Sequence, residues 1–383
     1  MRVAFLSTYP PIHCGVGEYT RFLARSIVDS EPGVEVVVLA EKGVGAKYED
    51  DTIPVIPSFS KRNTQSVDKA MEILESMGGA DILHVQHEYG IFGCDEELLD
   101  NLESWRRKGV FKRLVFTLHT VYHPRTGERE TRFQEKIIDS SNAVVVHSPI
   151  QEFELVAQYG AYPGNLYRIP HGTMLNPYYS EPRLSLASRL GLEPSRIHGK
   201  TVLAVPGFLR MDKGLDVLLE ALENLDVGSL IVVVAGEVVH KELLEIVERA
   251  EEAGKLILIP RYLSSSEILM LAALSDVIVL PYKDPPGKYA VSGILHLSMG
   301  SMKPIIGTNV PRLSELYTLT PRLVVRSGDY QALAQAIERF SSKEFLDLII
   351  PYAGSLYSYA VRTSWPRTAR RHVSLYKRLL LKH

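Results

Sequence analysis

Short apolar runs rich in valine, isoleucine and leucine alternate along the chain with amphipathic stretches of helical length. This is the pattern of parallel sheets buried on both faces and joined by crossover helices. In the first half the runs fall at residues 3–6, 34–39, 82–86, 114–118 and 143–147, and in the second half at 202–205, 230–235, 256–259, 277–280 and 305–307. Two successive sets predict an α/β protein with two doubly wound parallel sheets, each offering ligand sites at the carboxyl ends of its strands. From about residue 174 to 199 the chain carries Pro177, Pro182, Pro194 and several serines without a strong period, which reads as a linker. The expected domains are therefore 1–175 and 176–354, with a C-terminal helix from about 355 to 383 packing back on the first. That last segment is helical in pattern and basic, through Arg367, Arg370, Arg371, Lys377, Arg378 and Lys382. Packing on the body is its preferred reading, with peripheral membrane contact as the alternative.

Composition narrows the function classes. The 383 residues are 45% hydrophobic and 23% charged, enough for two ordinary cores. A formal net charge of −2 provides no global basic field, so nucleic acid is not an expected partner. Cys14 and Cys94 are the two cysteines, too few for a disulfide framework, which favours a cytoplasmic location. The apolar run after Met1 is shorter than a signal-peptide core, and no stretch approaches the ~20 apolar residues of a membrane span. His84 and His87 are three apart on or beside a strand and no metal-ligand motif accompanies them, so neither a metal nor another cofactor is expected.

Candidate chemistry sits just past strand ends. The first strand runs into a loop that opens a helix near Gly15 and Gly17, where backbone N–H groups can approach a diphosphate; a strand-to-helix turn also uses glycine for steric reasons alone. His87 and Glu88 follow the run at 82–86, and His119 follows the run at 114–118, at equivalent places in a doubly wound fold. In the second half, Gly207 to Gly214 again follows a strand and opens a helix, and Arg210 and Lys213 within it suit the charge of a leaving phosphate. Beyond Pro281-Tyr282-Lys283, Ser292 can cap a helix at Gly293, with free N–H groups for an anion or simply as a cap.

Taken in order, these features resemble the retaining glycosyltransferases of the GT-B fold, family GT4. The first glycine loop, His119, His171-Gly172, the Gly207–Gly214 motif, Ala235-Gly236-Glu237, and Lys303-Pro304-Ile305-Ile306 with Glu315 downstream all sit in family order. The resemblance implies two Rossmann-like domains facing across a cleft. It also implies that Gly15 approaches the donor diphosphate, that His119 contacts the transferred sugar, and that Arg210 and Lys213 hold the phosphates. By the same resemblance Arg261, Tyr262 and Leu263 grip the base, and His87 with Glu88 face the acceptor. One departure is clear. Family members carry two glutamates eight positions apart, and Tyr289 and Leu297 stand at those places here, with Met302 where a glycine is usual. Ser292-Gly293 resembles a subgroup in which a Ser-Gly step replaces that signature.

The implied activity is transfer of a hexose, mannose or glucose by family frequency, from a GDP-, UDP- or ADP-sugar to the hydroxyl of a sugar, polyol or lipid-linked saccharide. Two rival readings are a GT-B nucleotide-sugar epimerase and a non-catalytic sugar-nucleotide-binding partner subunit, the latter motivated by the missing glutamates.

Overall fold

The alternation of the apolar runs is realised as strands. In the computed structural model, which describes residues 1–225, 228–341 and 346–381, the first half forms β1 (Arg2–Ser7), β2 (Glu35–Glu41), β3 (Tyr48–Asp50), β4 (Ile53–Phe59), β5 (Ala80–His87), β6 (Phe111–Leu118), β7 (Thr120–Tyr122), β8 (Ala143–Val146) and β9 (Leu166–Arg168). The second half forms β10 (Thr201–Pro206), β11 (Leu230–Ala235), β12 (Leu256–Ile259), β13 (Val277–Leu280), β14 (Lys288–Ala290), β15 (Ile305–Thr308) and β16 (Val324–Val325).

The chain divides into two units. One consists of Met1–Gly172, Pro286–Val291 and the C-terminal helix from Trp365; the other is Thr173–Pro285 with Ser292–Ser364. The first sheet has the order β3-β4-β2-β1-β5-β6-β8-β9 and is parallel except for the β3–β4 pair. The second has the order β12-β11-β10-β13-β15-β16 and is parallel throughout. In both, the opening strand lies inside and winding reverses beside it, at β1/β5 and at β10/β13, which are the places where such sheets open a crevice.

Successive strand residues point to opposite faces, and the second sheet shows this fully. Val202, Ala204, Ile231, Val233, Ile257, Ile278 and Ile305 pack into the core on one face. Leu203, Val205, Val232, Val234, Leu256, Val277 and Ile306 pack on the other. The first sheet is asymmetric. One face is apolar, with Ala4, Leu6, Val37, Leu39, Leu83, Val85, Leu114, Phe116, Val144 and Val146 in one cluster. The alternate positions include Ser7, His84, Gln86 and Thr117, all fully buried, and so the other face carries polar groups.

The helices Gly15–Ser30 and Trp365–Leu381 cover that polar face. Tyr376 Oη lies 2.6 Å from His84 Nδ1, and Thr117 Oγ1 lies 2.8 Å from its Nε2. Tyr19 Oη lies 3.2 Å from His372 Nε2, Ser7 and Thr20 share a hydrogen bond of 2.7 Å, and Phe22 stacks on Trp365 at 5.4 Å. Gly172 makes room for the same tryptophan, since a Cβ there would meet its ring at 2.3 Å.

Several expectations are corrected. The stretch read as a linker holds the helices Arg183–Arg189 and Pro194–Ile197, whose neighbourhood buries Leu186, Ala187, Leu190, Leu192 and Ile197 in the second unit's core. These helices are too short to show a period. The chain returns to the first unit at Trp365, not near 355, and residues up to Arg362 continue a helix of the second unit. The C-terminal helix buries Val373, Leu375, Tyr376 and Leu379 and leaves Leu381 exposed at its end. Its basic face, Arg367, Arg370, Arg371, Lys377 and Arg378, is exposed; Lys382 lies outside the described residues. No helix among the described residues is long and apolar enough to cross a membrane.

The buried imidazoles make stability depend on pH. Burial lowers His84 and His119 well below the usual histidine range, His87 to about 4 and His372 to about 3. Because the folded-state values lie below the unfolded value of about 6.5, the unfolded chain binds more protons as pH falls. Their contribution is complete above about pH 6.5 and is lost on acidification toward pH 3–4, at up to about 1.4 kcal/mol per pH unit for each histidine. Urea unfolding between pH 7.5 and 4.5 is expected to show a steep drop in midpoint below pH 6.5, and a flat profile would contradict the burial.

Candidate active site

Each unit gathers polar groups at its own switch point. In the second unit, β10 leads through Gly207, at φ +118°, to Gly214, at φ +67°. A Cβ on Gly214 would stand 1.8 Å from the Pro281 carbonyl oxygen, so this loop is pressed against the segment that follows β13. Only glycine meets both the left-handed backbone and the close approach.

The charges in this crevice are arranged unequally. Arg210 donates twice to Asp212, at 2.8 and 2.6 Å. Arg312 reaches the same carboxylate at 2.8 Å and also pairs with Asp284. Burial works to raise the Asp212 pKa, but hydrogen bonds and charge from Arg210 and Arg312 outweigh it and hold the carboxyl well below its ordinary range. Lys213 is half-buried, and its Nζ lies 3.8 Å from the centre of the Tyr282 ring. Arg312 also faces that ring, at 5.0 Å. Among the described residues Lys213 has no carboxylate ion partner. Desolvation, and then the Arg312 charge, push its ammonium well below the usual lysine value. The two cations expected to act together thus stand in different surroundings, with Arg210 held by Asp212 and Lys213 over the Tyr282 ring.

Ser292 is buried and caps the helix Gly293–Ser298, accepting from the Leu295 N–H at 3.2 Å, while Gly293 is exposed with open space at its Cβ position. Arg261 pairs with Glu267 at 2.7 Å, Tyr262 lies beside Phe208 with ring centres 6.0 Å apart, and Leu263 is buried in the core. Leu297 is a core residue, so no polar group occupies that place.

In the first unit the helix begins at Gly15, which is exposed with open space around its Cβ position. Gly17 differs, because a Cβ there would meet the Tyr9 backbone at 3.2 Å. Its smallness is explained by packing, whereas that of Gly15 is not. His119 is buried, its N–H donates to the His87 carbonyl at 3.1 Å, and its Nε2 lies 2.9 Å from Gln86 Oε1. The Tyr19 ring meets it edge-on at 4.8 Å, and His147 lies 5.4 Å away.

His87 does not face a surface. It is fully buried among Tyr89, Phe92 and Phe133, with Nε2 3.1 Å from the Gly93 carbonyl oxygen. The alternation of β5 turns it to the apolar face of the sheet, opposite Gln86. Glu88 is half-buried and accepts from Thr120 Oγ1 at 2.7 Å. Tyr289 belongs to β14, which pairs antiparallel with β7 inside the first unit, opposite Val121. Residues that sequence reasoning passed over are Tyr282, Arg312 and Gln86. The first had a signal, an aromatic directly after a strand end; Arg312 had none, since its approach to Asp212 spans 100 positions. Among the described residues no group of His, Cys, Asp and Glu stands together that could hold a metal ion.

Two family models match the chain. Residues 14–176 match Glycosyltransferase Family 4 and residues 199–343 match Glycosyl transferases group 1. The protein is a glycosyltransferase of the GT-B fold. Solved structures share its architecture at low identity. A glycosyltransferase from Rickettsia africae superposes with a TM-score of 0.76 at 17% identity, over 100% of this chain and 99% of that one. Sucrose-phosphate synthase from Thermosynechococcus elongatus gives 0.77 at 16%, over 100% of both chains. Anabaena HepE, solved with UDP and with UDP-glucose, gives 0.75 at 16% for both complexes, over 99% of this chain and 100% of that one. No curated protein sequence matches the chain.

In this glycosyltransferase the two glycines at loop ends answer to different demands. Gly15→Ala is expected to change unfolding free energy by less than about 1 kcal/mol, and Gly214→Ala to cost more than about 2 kcal/mol. Urea denaturation of the two variants checks this.

Proposed function

We propose that the protein is a retaining hexosyltransferase using a nucleotide diphosphate sugar, with Lys213 as the cation that meets the donor diphosphate. The observation that carries the reading is the Lys213 ammonium, short of any carboxylate partner among the described residues and held over Tyr282 at the switch point of the second sheet. Desolvation, and then the Arg312 charge, disfavour its ammonium form, and a bound diphosphate would offset that cost. Arg210 would act through Asp212, keeping that carboxylate paired so that it does not repel the phosphates. Backbone N–H groups at the exposed Gly15 and Gly293 would add donors, and Arg261 and Tyr262, past β12, would contact the base. In the first unit, His119 would meet the transferred sugar, and Glu88 is the polar group left for the acceptor now that His87 is in the core.

In the proposed reaction the bond between the sugar C1 and the phosphate oxygen breaks and a bond from C1 to the acceptor oxygen forms on the same face. The acceptor proton passes to the leaving phosphate. Charge that grows on that phosphate is stabilised by Lys213 in its poorly solvated surroundings. Since HepE was solved with UDP and UDP-glucose, a UDP-hexose is the first donor to consider, and a sugar, polyol or lipid-linked saccharide remains the acceptor class. Leu297 in the core and Tyr289 in a β-ribbon leave no carboxylate at the two family positions, which keeps the sugar-nucleotide binder as the second reading.

A thermal-shift panel with UDP, GDP, ADP and their glucose and mannose conjugates separates these readings when combined with donor hydrolysis, because a ligand of the folded state raises its melting temperature. One nucleotide is expected to shift it. Lys213→Ala should remove most of the shift while lowering the ligand-free melting temperature little, and His119→Ala should reduce sugar release from the donor at least about tenfold with nucleotide affinity retained. A shift without any hydrolysis or transfer would select the silent binder, and an unchanged shift in Lys213→Ala would remove that residue from the site.

A further inference from the structure

We propose that Gln86 is a positioning residue that fixes the tautomer of His119, so that the ring offers Nδ1 to a ligand as a hydrogen-bond acceptor. The pair is set by strand register. β5 and β6 run in parallel with Gln86 opposite Thr117 and His87 opposite Leu118, and His119 follows directly, its backbone tied to the His87 carbonyl at 3.1 Å. Side-chain alternation puts Gln86 on the polar face beneath the helix Gly15–Ser30, where its Oε1 lies 2.9 Å from His119 Nε2.

With the amide oriented so that its oxygen faces the ring, that oxygen can only accept, so Nε2 carries the proton. The ring is neutral because burial disfavours the imidazolium, and a neutral ring with Nε2 protonated has a lone pair on Nδ1. Tyr19 and His147 pack against the ring and oppose its rotation. The Gln86 amide nitrogen is buried without a hydrogen-bond partner among the described residues. The reversed amide would donate to Nε2, move the ring proton to Nδ1 and strand the oxygen instead. The two orientations therefore predict opposite chemistry at the ring. With Nδ1 as acceptor, His119 takes a hydrogen bond from a sugar hydroxyl; this last step rests on the reading of His119 as the sugar contact.

The test is long-range 15N–1H correlation on the full chain labelled at histidine, with His119→Gln used to assign the His119 signals, alongside hydrolysis of UDP-glucose. The wild type is expected to show the proton on Nε2. Gln86→Met should mix the two tautomers and lower kcat at least about tenfold with KM within about twofold. Gln86→Glu, nearly isosteric and so the variant to use if methionine prevents folding, should raise the pH at which His119 becomes an imidazolium and move the acid limb of the rate profile upward. A proton on Nδ1 in the wild type, or a His119 signal unmoved by both variants, overturns the proposal. Hydrolysis at the wild-type rate by His119→Gln, with the Nε2 proton as expected, would instead overturn the sugar-contact reading and leave the tautomer assignment standing.

Discussion

The first unit depends on satisfying polar groups that strand alternation forces into its interior. His84, Gln86 and Thr117 cannot turn toward solvent without moving Leu83, Val85 and Phe116 out of the apolar core, because neighbouring residues on a strand share one register. Partners must be brought to them. The C-terminal helix supplies Tyr376 for His84 and His372 for Tyr19, and the first helix supplies Thr20 for Ser7. A helix some 290 positions away in sequence, joined through the His84–Tyr376 contact, is therefore part of the same hydrogen-bonded layer that holds His119. Stability and site geometry in this unit are one arrangement.

The second unit solves a different problem with the same topology. Its sheet is apolar on both faces, so the charged groups lie beyond the strand ends, in loops fixed by Gly207 and Gly214. There the carboxylates Asp212 and Asp284 occupy Arg210 and Arg312, and the remaining cation is Lys213 over an aromatic face. Pairing explains why two arginines beside a lysine are not three equivalent cations. It also sets Lys213 apart, since the loss of solvent and then the guanidinium of Arg312 disfavour its charge.

Much of the fold was legible because buried parallel strands announce themselves as apolar runs. The run at 230–235 is β11, the run at 82–86 lies within β5, and the run at 34–39 overlaps β2 in all but its first residue. β4 was missed because Pro54 and Pro57 argue against a strand, and it is accommodated next to the sheet edge, with a register shift opposite Ala40/Glu41. β7 and β14 are three residues each and pair over 168 positions, beyond any local pattern. Met302 stands where the family has glycine, and the backbone confirms the demand with φ +57°. Of the candidate site residues, Lys213, Gly15 and His119 do follow strands, as their places in the sequence lead one to expect. The burial of His87 was not legible, because its alternation partner Gln86 reads as polar too and the pattern does not say which of them faces the core.

The most direct test of the account is the protonation of Lys213 on nucleotide binding. Calorimetric titration of the protein with UDP at intervals from pH 7 to 10, in buffers of different ionisation enthalpy, measures protons taken up or released. The depressed lysine is expected to regain its charge beside the diphosphate, giving net proton uptake in the wild type that is lost in Lys213→Met. Binding of UDP without proton uptake, or with the same uptake in the variant, would contradict the assignment of Lys213 to the donor diphosphate.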